Sequence, residues 1–145
     1  GRLYPLGVEA MVEAIQMVKE GRAPKIEQDQ SRASYEGWCR SENTVIDWSS
    51  SLEEVYNLVR GSDPSPGANT QLGSDRVAFF KTSISEESSD LPAGTVTATN
   101  SESFTVCANG GSLSIGRGQV NREPKLMAGE IIESGRIKLG DRFVS

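Results

Sequence analysis

The chain has 145 residues, is 36% apolar, carries a net charge of −5 and contains no histidine. The length suits one domain with a real core, or a smaller domain with an extension, and no apolar run predicts a membrane span or a signal peptide. The acidic balance disfavours strong sequence-independent binding of nucleic acid, and the lack of histidine excludes a Ser-His-Asp, Cys-His or histidine-rich zinc centre built from this chain alone.

The first predicted element is an amphipathic helix within residues 1–21. Apolar residues recur there at helical spacing, and Gly21 stands where a left-handed C-terminal cap is wanted. The apolar residues are Val8, Met11, Val12, Ile15 and Val18. A lone helix of this kind has to dock on something, either the rest of this chain or another domain.

Residues 22–45 are polar and irregular and predict an extended linker, with Tyr35, Trp38 and Val45 as its anchors. We expect Trp38 and Trp48 to pack in the linker or the core. Asp47 is expected to serve as a cap or turn ligand just before the next helix.

The second helix has the clearest local signals. Ser50 or Ser51 can serve as the N-cap, and Glu53 and Glu54 offer the reciprocal partner of a capping box. An apolar stripe follows, and Gly61 is expected to cap the end. The stripe consists of Leu52, Val55, Leu58 and Val59.

Beyond Thr70 the pattern changes to short strands. Residues 76–84 predict a buried strand, residues 94–100 and 102–108 a hairpin, and residues 112–118 a further strand. A short helix is expected at 128–133, and a last strand at 137–139. The fold class is therefore mainly β with short helices, in the form of a small OB-like barrel preceded by a helix and a linker.

The two cysteines, Cys39 and Cys107, are far apart and lack any metal-ligand spacing. Free thiols are the expected state, and they suit a reducing cytoplasm, which we take as the expected location. The glycines at 110, 111, 116 and 118 precede no GK[ST] and lie between strands, so they predict turns and not a phosphate loop.

Four pieces of sequence, in order, resemble the carboxy-terminal part of the folate-dependent formyltransferases. The first is residues 28–35 (QDQSRASY), similar to that family's linker, and the second is residues 46–60, which contain IDW and later EEVYNLVR. The third is the Pro66-Gly67-Ala68 turn. The last is residues 128–143, similar to the closing helix and the L-K-x-G-D-x-F tail of the family.

The resemblance implies a two-domain protein. An amino-terminal Rossmann-like domain would hold 10-formyltetrahydrofolate and the catalytic Asn, His and Asp. In this chain, residues 1–21 would end that domain or begin the linker, residues 22–45 would form the linker, and residues 46–145 would form the OB-like C-terminal domain. None of the family's catalytic motifs maps here, so no catalytic, cofactor-binding or metal-ligating residue is predicted, and 10-formyltetrahydrofolate belongs to the upstream domain.

The family's branches differ in the acceptor of the formyl group. The fragment alone is expected to be inactive, while the intact protein would be a formyl transferase or a formyltetrahydrofolate hydrolase, with this domain as a scaffold and the catalytic domain as its partner. Residues 20–24 with 35–37, and residues 60–63, look closer to the hydrolase part of formyltetrahydrofolate dehydrogenase. Sugar formyltransferases share the same signatures and stay open, and the acceptor is left unassigned.

The alternative hypothesis is a domain that grips tRNA, as in methionyl-tRNA formyltransferases, although the acidic charge disfavours it. Six basic residues would carry that contact if they converge on one face, and otherwise they are dispersed, solvated charges. They are Arg117, Arg122, Lys125, Arg136, Lys138 and Arg142. One departure is local: Asn69 follows the Pro66-Gly67-Ala68 turn where the family has an aromatic residue, which puts the packing of this corner in doubt.

Overall fold

The structure is a computed structural model that describes residues 3–85 and 87–145. The first two residues of the predicted helix therefore lie outside the described part of the chain. The chain divides into two compact units, residues 1–36 and 37–145. None of the described helices is long and apolar enough to cross a membrane.

The first unit contains α1, Leu3–Lys19, as the apolar spacing predicts. The helix ends in the expected way, because Gly21 takes a positive φ of 69° and the amide of Arg22 bonds the carbonyl of Met17 at 3.1 Å. No residue of α1 is buried. A single 3₁₀ turn, Gln30–Arg32, follows and is capped by the carboxylate of Asp29, which accepts from the amide of Ser31 at 2.9 Å.

The aromatic anchors predicted for the linker are wrong, because Tyr35 is 90% exposed and Trp38 is 88% exposed. The end of the linker is held by polar bonds instead. The side chain of Asn69 donates to the carbonyl of Ser41, at the start of the 3₁₀ turn Ser41–Thr44. Trp48, by contrast, is 6% exposed and belongs to the core, as expected.

Helix α2, Leu52–Ser62, begins with the predicted capping box. The Ser51 hydroxyl accepts from the amide of Glu54 at 3.3 Å, and the Glu54 carboxylate accepts from the amide of Ser51 at 2.9 Å. Before the helix, Asp47 accepts from the amide of Ser49 at 2.8 Å, which confirms its role as a turn ligand. The predicted end at Gly61 is wrong: the helix continues through Ser62, whose hydroxyl bonds the carbonyl of Leu58.

The second unit is built on one antiparallel sheet in the described residues, with the strand order β1-β2-β5-β4-β3 and β6 beside β5. The strands are β1 Ala68–Leu72, β2 Asp75–Ser85, β3 Val96–Thr99, β4 Phe104–Ala108, β5 Gly111–Val120 and β6 Leu126–Met127. Helix α3, Ala128–Glu133, has the predicted bounds. A mainly β fold with a few short helices is thus confirmed.

The sheet is not closed among the described residues, since β1 and β3 make no ladder with each other, and the OB-like barrel stays a prediction. The C-terminal segment, residues 140–145, lies between these two edges. Val144 exchanges two 2.9 Å backbone bonds with Gln71 of β1, and the carbonyl of Asp141 accepts from the amide of Val96 of β3 at 2.8 Å. The last strand predicted at 137–139 is wrong, because this stretch forms a bend and a turn and the edge pairing comes later, at Arg142 and Val144.

The core of the second unit is an aromatic cluster surrounded by aliphatic side chains. Phe79, Phe104 and Phe143 are each at most 1% exposed, and their ring centroids lie 5.1–6.2 Å apart. Trp48 stacks on Phe143 at 6.3 Å and donates its indole N–H to the Thr70 hydroxyl at 3.0 Å. The core therefore joins the segment before α2, the central strands and the C-terminal segment.

Candidate functional site

The six predicted basic residues lie in three places on the second unit. Arg117 is on β5, opposite Phe80 of β2, so their side chains share one face of the sheet. Lys125 lies against the same Phe80, with its ammonium nitrogen 3.9 Å from the ring centroid, and it also donates to the carbonyl of Pro64. Lys125 is thus engaged in holding the fold, while Arg117 is exposed.

Arg122 and Arg136 flank Glu123. Arg136 forms an ion pair with the Glu123 carboxylate, and this hydrogen bond raises the pKa of the Arg136 guanidinium. Arg122 is exposed and sits in a tight turn after β5, where both it and Asn121 have positive φ angles of 63° and 49°.

Lys138 and Arg142 belong to the stretch that follows α3. Lys138 is exposed, and its backbone amide bonds the carboxylate of Asp141 at 2.7 Å in a turn that ends at Gly140. Arg142 is also exposed, and its backbone bridges Thr95 beside β3. The six residues therefore lie on different elements, and two of them, Lys125 and Arg136, are engaged with other groups of the fold.

The corner where the resemblance leads one to expect an aromatic residue is polar and well satisfied. Asn69 is 6% exposed, and its amide nitrogen donates to the carbonyls of Ser41 and Thr44 at 2.8 and 3.1 Å. Its carbonyl oxygen accepts from Nε of Arg76 at 3.0 Å. A hydrogen-bonded amide thus takes the place of ring packing in joining the linker to the sheet.

Arg76 is the basic residue that the sequence did not single out. Its Nη2 is enclosed and has no hydrogen-bond partner among residues 3–85 and 87–145. Burial lowers the pKa of the Arg76 guanidinium, and the charge of Arg122 lowers it further. Arg76 alternates with Ala78 and Phe80 along β2, so the three side chains point to the same face of the sheet. A charged residue within this apolar alternation was the signal available in the sequence.

The apolar face of α1 is the most extensive exposed hydrophobic feature of the first unit. Five side chains of one helical stripe are between 48% and 68% exposed: Val8, Met11, Val12, Ile15 and Val18. An exposed apolar stripe of this kind indicates a contact surface. Within the described residues, no group of three or more Cys, Asp or Glu side chains is arranged to hold a metal ion.

Comparison with known proteins identifies the second unit. A sequence model of the family described as "Formyl transferase, C-terminal domain" matches residues 39–136. The chain belongs to this family. The formyl transferase C-terminal domain thus comprises the sheet, α2 and α3, together with the polar corner around Asn69.

Two curated relatives match different shares of the chain. The chain is 40% identical over 92 residues, 63% of its length, to mitochondrial 10-formyltetrahydrofolate dehydrogenase of Homo sapiens, of which the match covers 10%. It is 30% identical over 143 residues, 97% of its length, to methionyl-tRNA formyltransferase of Symbiobacterium thermophilum, of which the match covers 44%. The chain therefore spans less than half the length of these curated relatives.

A solved structure shares the fold. HypX from Aquifex aeolicus, in complex with tetrahydrofolic acid, superposes with a TM-score of 0.72 at 21% identity. The match covers 92% of this chain and 24% of HypX. At this identity the likeness supports the architecture and carries no residue role to this chain.

Proposed function

We propose that this chain is the non-catalytic C-terminal domain of an enzyme that transfers or hydrolyses the formyl group of 10-formyltetrahydrofolate. In this proposal the domain is a scaffold on the acceptor side, and the folate and the reacting groups belong to an upstream catalytic domain. The assignment is supported by the relatives, which are a 10-formyltetrahydrofolate dehydrogenase and a methionyl-tRNA formyltransferase. The absence of histidine also supports it, because the commonest general base is missing from this chain. The cytoplasm is the proposed location, with free Cys39 and Cys107 suiting it.

The observation that carries the scaffold role is the exposed stripe of α1. A helix with this pattern is stable in water when its apolar side is covered, because most helical stability in proteins comes from packing of that side. We propose that the catalytic domain of the same protein covers it.

The first test is turnover of 10-formyltetrahydrofolate, followed as release of formate. We expect no turnover by the 145-residue chain and full turnover by the intact protein. Steady turnover by the chain alone would overturn the non-catalytic assignment.

The docking of α1 is tested in the intact protein with paired variants. Val12→Asp and Ile15→Asp place charges in the exposed stripe, so they should make the two domains separately mobile and lower turnover. Glu9→Gln and Glu13→Gln change the polar side of the same helix and should leave both properties as they are. Small-angle scattering reports the change in domain separation, and an unchanged profile for Ile15→Asp would contradict the docking.

A second candidate function is gripping tRNA. The observation that favours it is the match to a methionyl-tRNA formyltransferase over 97% of this chain. The net charge of −5 and the engagement of Lys125 and Arg136 within the fold argue against it. Exposed Arg117, Arg122, Lys138 and Arg142 would have to supply the phosphate contacts.

A salt titration separates the two functions. A tRNA-binding domain should bind initiator tRNA at low salt and lose affinity steeply between about 50 and 200 mM salt, because binding releases counterions from the phosphates. The scaffold proposal expects no binding even at the lower concentration. If the unchanged chain bound initiator tRNA at low salt, and the Arg117→Gln and Arg142→Gln variants bound it more weakly to a similar extent, the tRNA role would be established.

A further inference from the structure

A groove of about 540 Å³ lies between α2, the end of β2 and the turn that joins β4 to β5. Its volume falls within the range of roughly 300–1,000 Å³ that is usual for ligand sites. The helical wall of the groove consists of Glu53, Tyr56, Asn57 and Arg60. These residues recur at the spacing i, i+3, i+4 and i+7, so they share one face of α2. On the opposite wall, Ile84 of β2 is 49% exposed.

Hydrogen bonds tie α2 to the sheet at both ends of the helix. At its start, the side-chain amide of Asn109 in the β4–β5 turn donates to the carbonyl of Ser49 at 2.9 Å. The amide of Leu52 donates in return to the carbonyl of Asn109 at 2.8 Å. At the other end, the Asp63 carboxylate accepts from the amide of Lys81 on β2 at 3.0 Å. The two walls are therefore fixed to each other, and a preformed groove of this kind lowers the ordering cost of binding.

The helical wall carries an oriented cation at one end and an exposed anion at the other. Nε of Arg60 donates to the side-chain oxygen of Asn57 at 2.8 Å, and the guanidinium lies 5.8 Å from the centroid of the Tyr56 ring. Arg60 is exposed, and neither it nor the exposed Glu53 forms an ion pair in the part of the chain that the structure describes. The two Nη nitrogens of Arg60 are thus open to a carboxylate. Seven helical positions separate the two charged residues, which is roughly 10 Å along the axis.

We propose that this groove binds a short extended segment of a partner protein, in which an acidic and a basic residue lie three positions apart with apolar residues between them. An extended chain advances about 3.3 Å per residue, so three positions span the roughly 10 Å between Glu53 and Arg60. The acidic residue pairs with Arg60 and the basic residue with Glu53, which fixes the direction of the segment. An apolar side chain between them lies against Tyr56 and Ile84. A short segment suits the groove because its apolar part is narrow and ends in a charge on either side.

The groove is tested on the 145-residue chain by NMR of the backbone amides during titration with the peptide acetyl-Glu-Leu-Leu-Lys-amide. We expect saturable shifts that are concentrated in α2, at Ile84 and in the β4–β5 turn. The peptide acetyl-Gln-Leu-Leu-Gln-amide lacks the charges and acetyl-Glu-Ser-Ser-Lys-amide lacks the apolar part, so each should bind at least about threefold more weakly. Equal binding of the three peptides, shifts that do not saturate, or shifts centred outside the groove would overturn the proposal.

Variants assign each charge of the peptide to its partner. Arg60→Gln should weaken the binding of acetyl-Glu-Leu-Leu-Lys-amide by about threefold to tenfold and leave the binding of acetyl-Gln-Leu-Leu-Lys-amide unchanged. Glu53→Gln should act in the same way on the lysine of the peptide. Arg142→Gln, which changes an exposed arginine outside the groove, is the matched control and should bind as the unchanged chain does. Equal affinities of the Arg60→Gln and Arg142→Gln variants for the first peptide would refute the proposal.

The intact protein distinguishes a partner segment from a segment of the same protein. If the groove is kept for a partner, the intact protein should bind acetyl-Glu-Leu-Leu-Lys-amide with the affinity measured for the 145-residue chain. Binding by the 145-residue chain that is lost in the intact protein would mean that another part of the same protein covers the groove, and it would overturn the assignment to a partner.

Discussion

At the scale of single residues, Asn69 shows how one polar side chain replaces the packing that an aromatic ring would supply. Its amide and its carbonyl oxygen are both engaged, with the 3₁₀ turn on one side and with Arg76 on the other. A buried amide stabilises only when all its groups are paired, because each unpaired buried group costs about 1–3 kcal/mol.

Replacing Asn69 by alanine should therefore lower the free energy of unfolding by about 2–3 kcal/mol, since the carbonyl of Thr44 and Nε of Arg76 lose their partner together. Urea denaturation measures the change. Asn57→Ala is the control: Asn57 is exposed on α2 and its side chain accepts a bond from Arg60, also exposed, so its loss should change stability by less than about 0.5 kcal/mol. Equal effects of the two variants would contradict the role assigned to Asn69.

At the scale of elements, the start of α2 depends on an ionised carboxylate. Glu54 accepts from the amide and the hydroxyl of Ser51, at 2.9 and 2.7 Å, and these bonds hold the pKa of Glu54 below its ordinary value. Since the pKa is lower in the folded state, the stabilisation is complete above the unfolded-state pKa of about 4.3 and is lost as the pH falls through the folded-state value.

Glu54→Ala should accordingly be less stable than the unchanged chain at neutral pH, and the gap should close on acidification through that window. The Glu53→Ala variant, in the same helical turn, controls for the loss of a carboxylate near the helix N-terminus. Thermal unfolding at a series of pH values gives both differences. A gap for Glu54→Ala that stays constant down to acid pH would argue against the capping role.

The helical glycines of α2 and α3 should respond to alanine with opposite signs. A Cβ on Gly61 would meet no atom within 4 Å, so Gly61→Ala should stabilise the protein by about 0.4–1 kcal/mol. A Cβ on Gly129 would lie 2.1 Å from the backbone carbonyl oxygen of Ser101, so Gly129→Ala should destabilise it by about 1–3 kcal/mol or more. Chemical denaturation of the two variants gives the signs, and a neutral Gly129→Ala would show that the hairpin can move aside.

The elements that are predicted correctly from the sequence are those whose signals lie within the element itself. The capping box at Ser51 and the apolar spacing of α1 are local, and both are found where expected. The errors concern partners that are distant in the chain. Strand β1 was missed because its buried residues include Asn69 and Thr70, whose polar groups find partners in the linker and the C-terminal segment.

The same limit explains the other errors. Of the alternating pair Ile137 and Leu139, only Ile137 is buried and Leu139 is 67% exposed, so the apparent strand pattern had one core residue and not two. Arg76 carries no motif of its own. Its lack of an ion-pair partner among residues 3–85 and 87–145 follows from strand pairing, which places uncharged Gln71 opposite it.

At the scale of the whole domain, the sheet is open, and the C-terminal segment bonds to both of its edges. Exposed edges are templates for pairing with other chains, so a domain with an open sheet has to cover them. Here backbone bonds from Asp141 and Val144 cover the two edges, and the Phe143 ring is 1% exposed in the core. The amide of Ile46 also bonds the carbonyl of Asn69 on β1. Packing and edge protection thus reside in the same few residues.

Two variants separate these contributions. Phe143→Ala should lower the free energy of unfolding by about 3–5 kcal/mol through the lost core ring. The backbone bonds to β1 and β3 keep the edges covered, so the folded variant should keep the association state of the unchanged chain. Deletion of residues 140–145 removes the ring and the edge bonds of the C-terminal segment together, and it should produce concentration-dependent association at temperatures where Phe143→Ala is still folded. Light scattering coupled to size exclusion distinguishes the two. If the deleted chain remained monomeric at high concentration, the segment would act through its core ring alone.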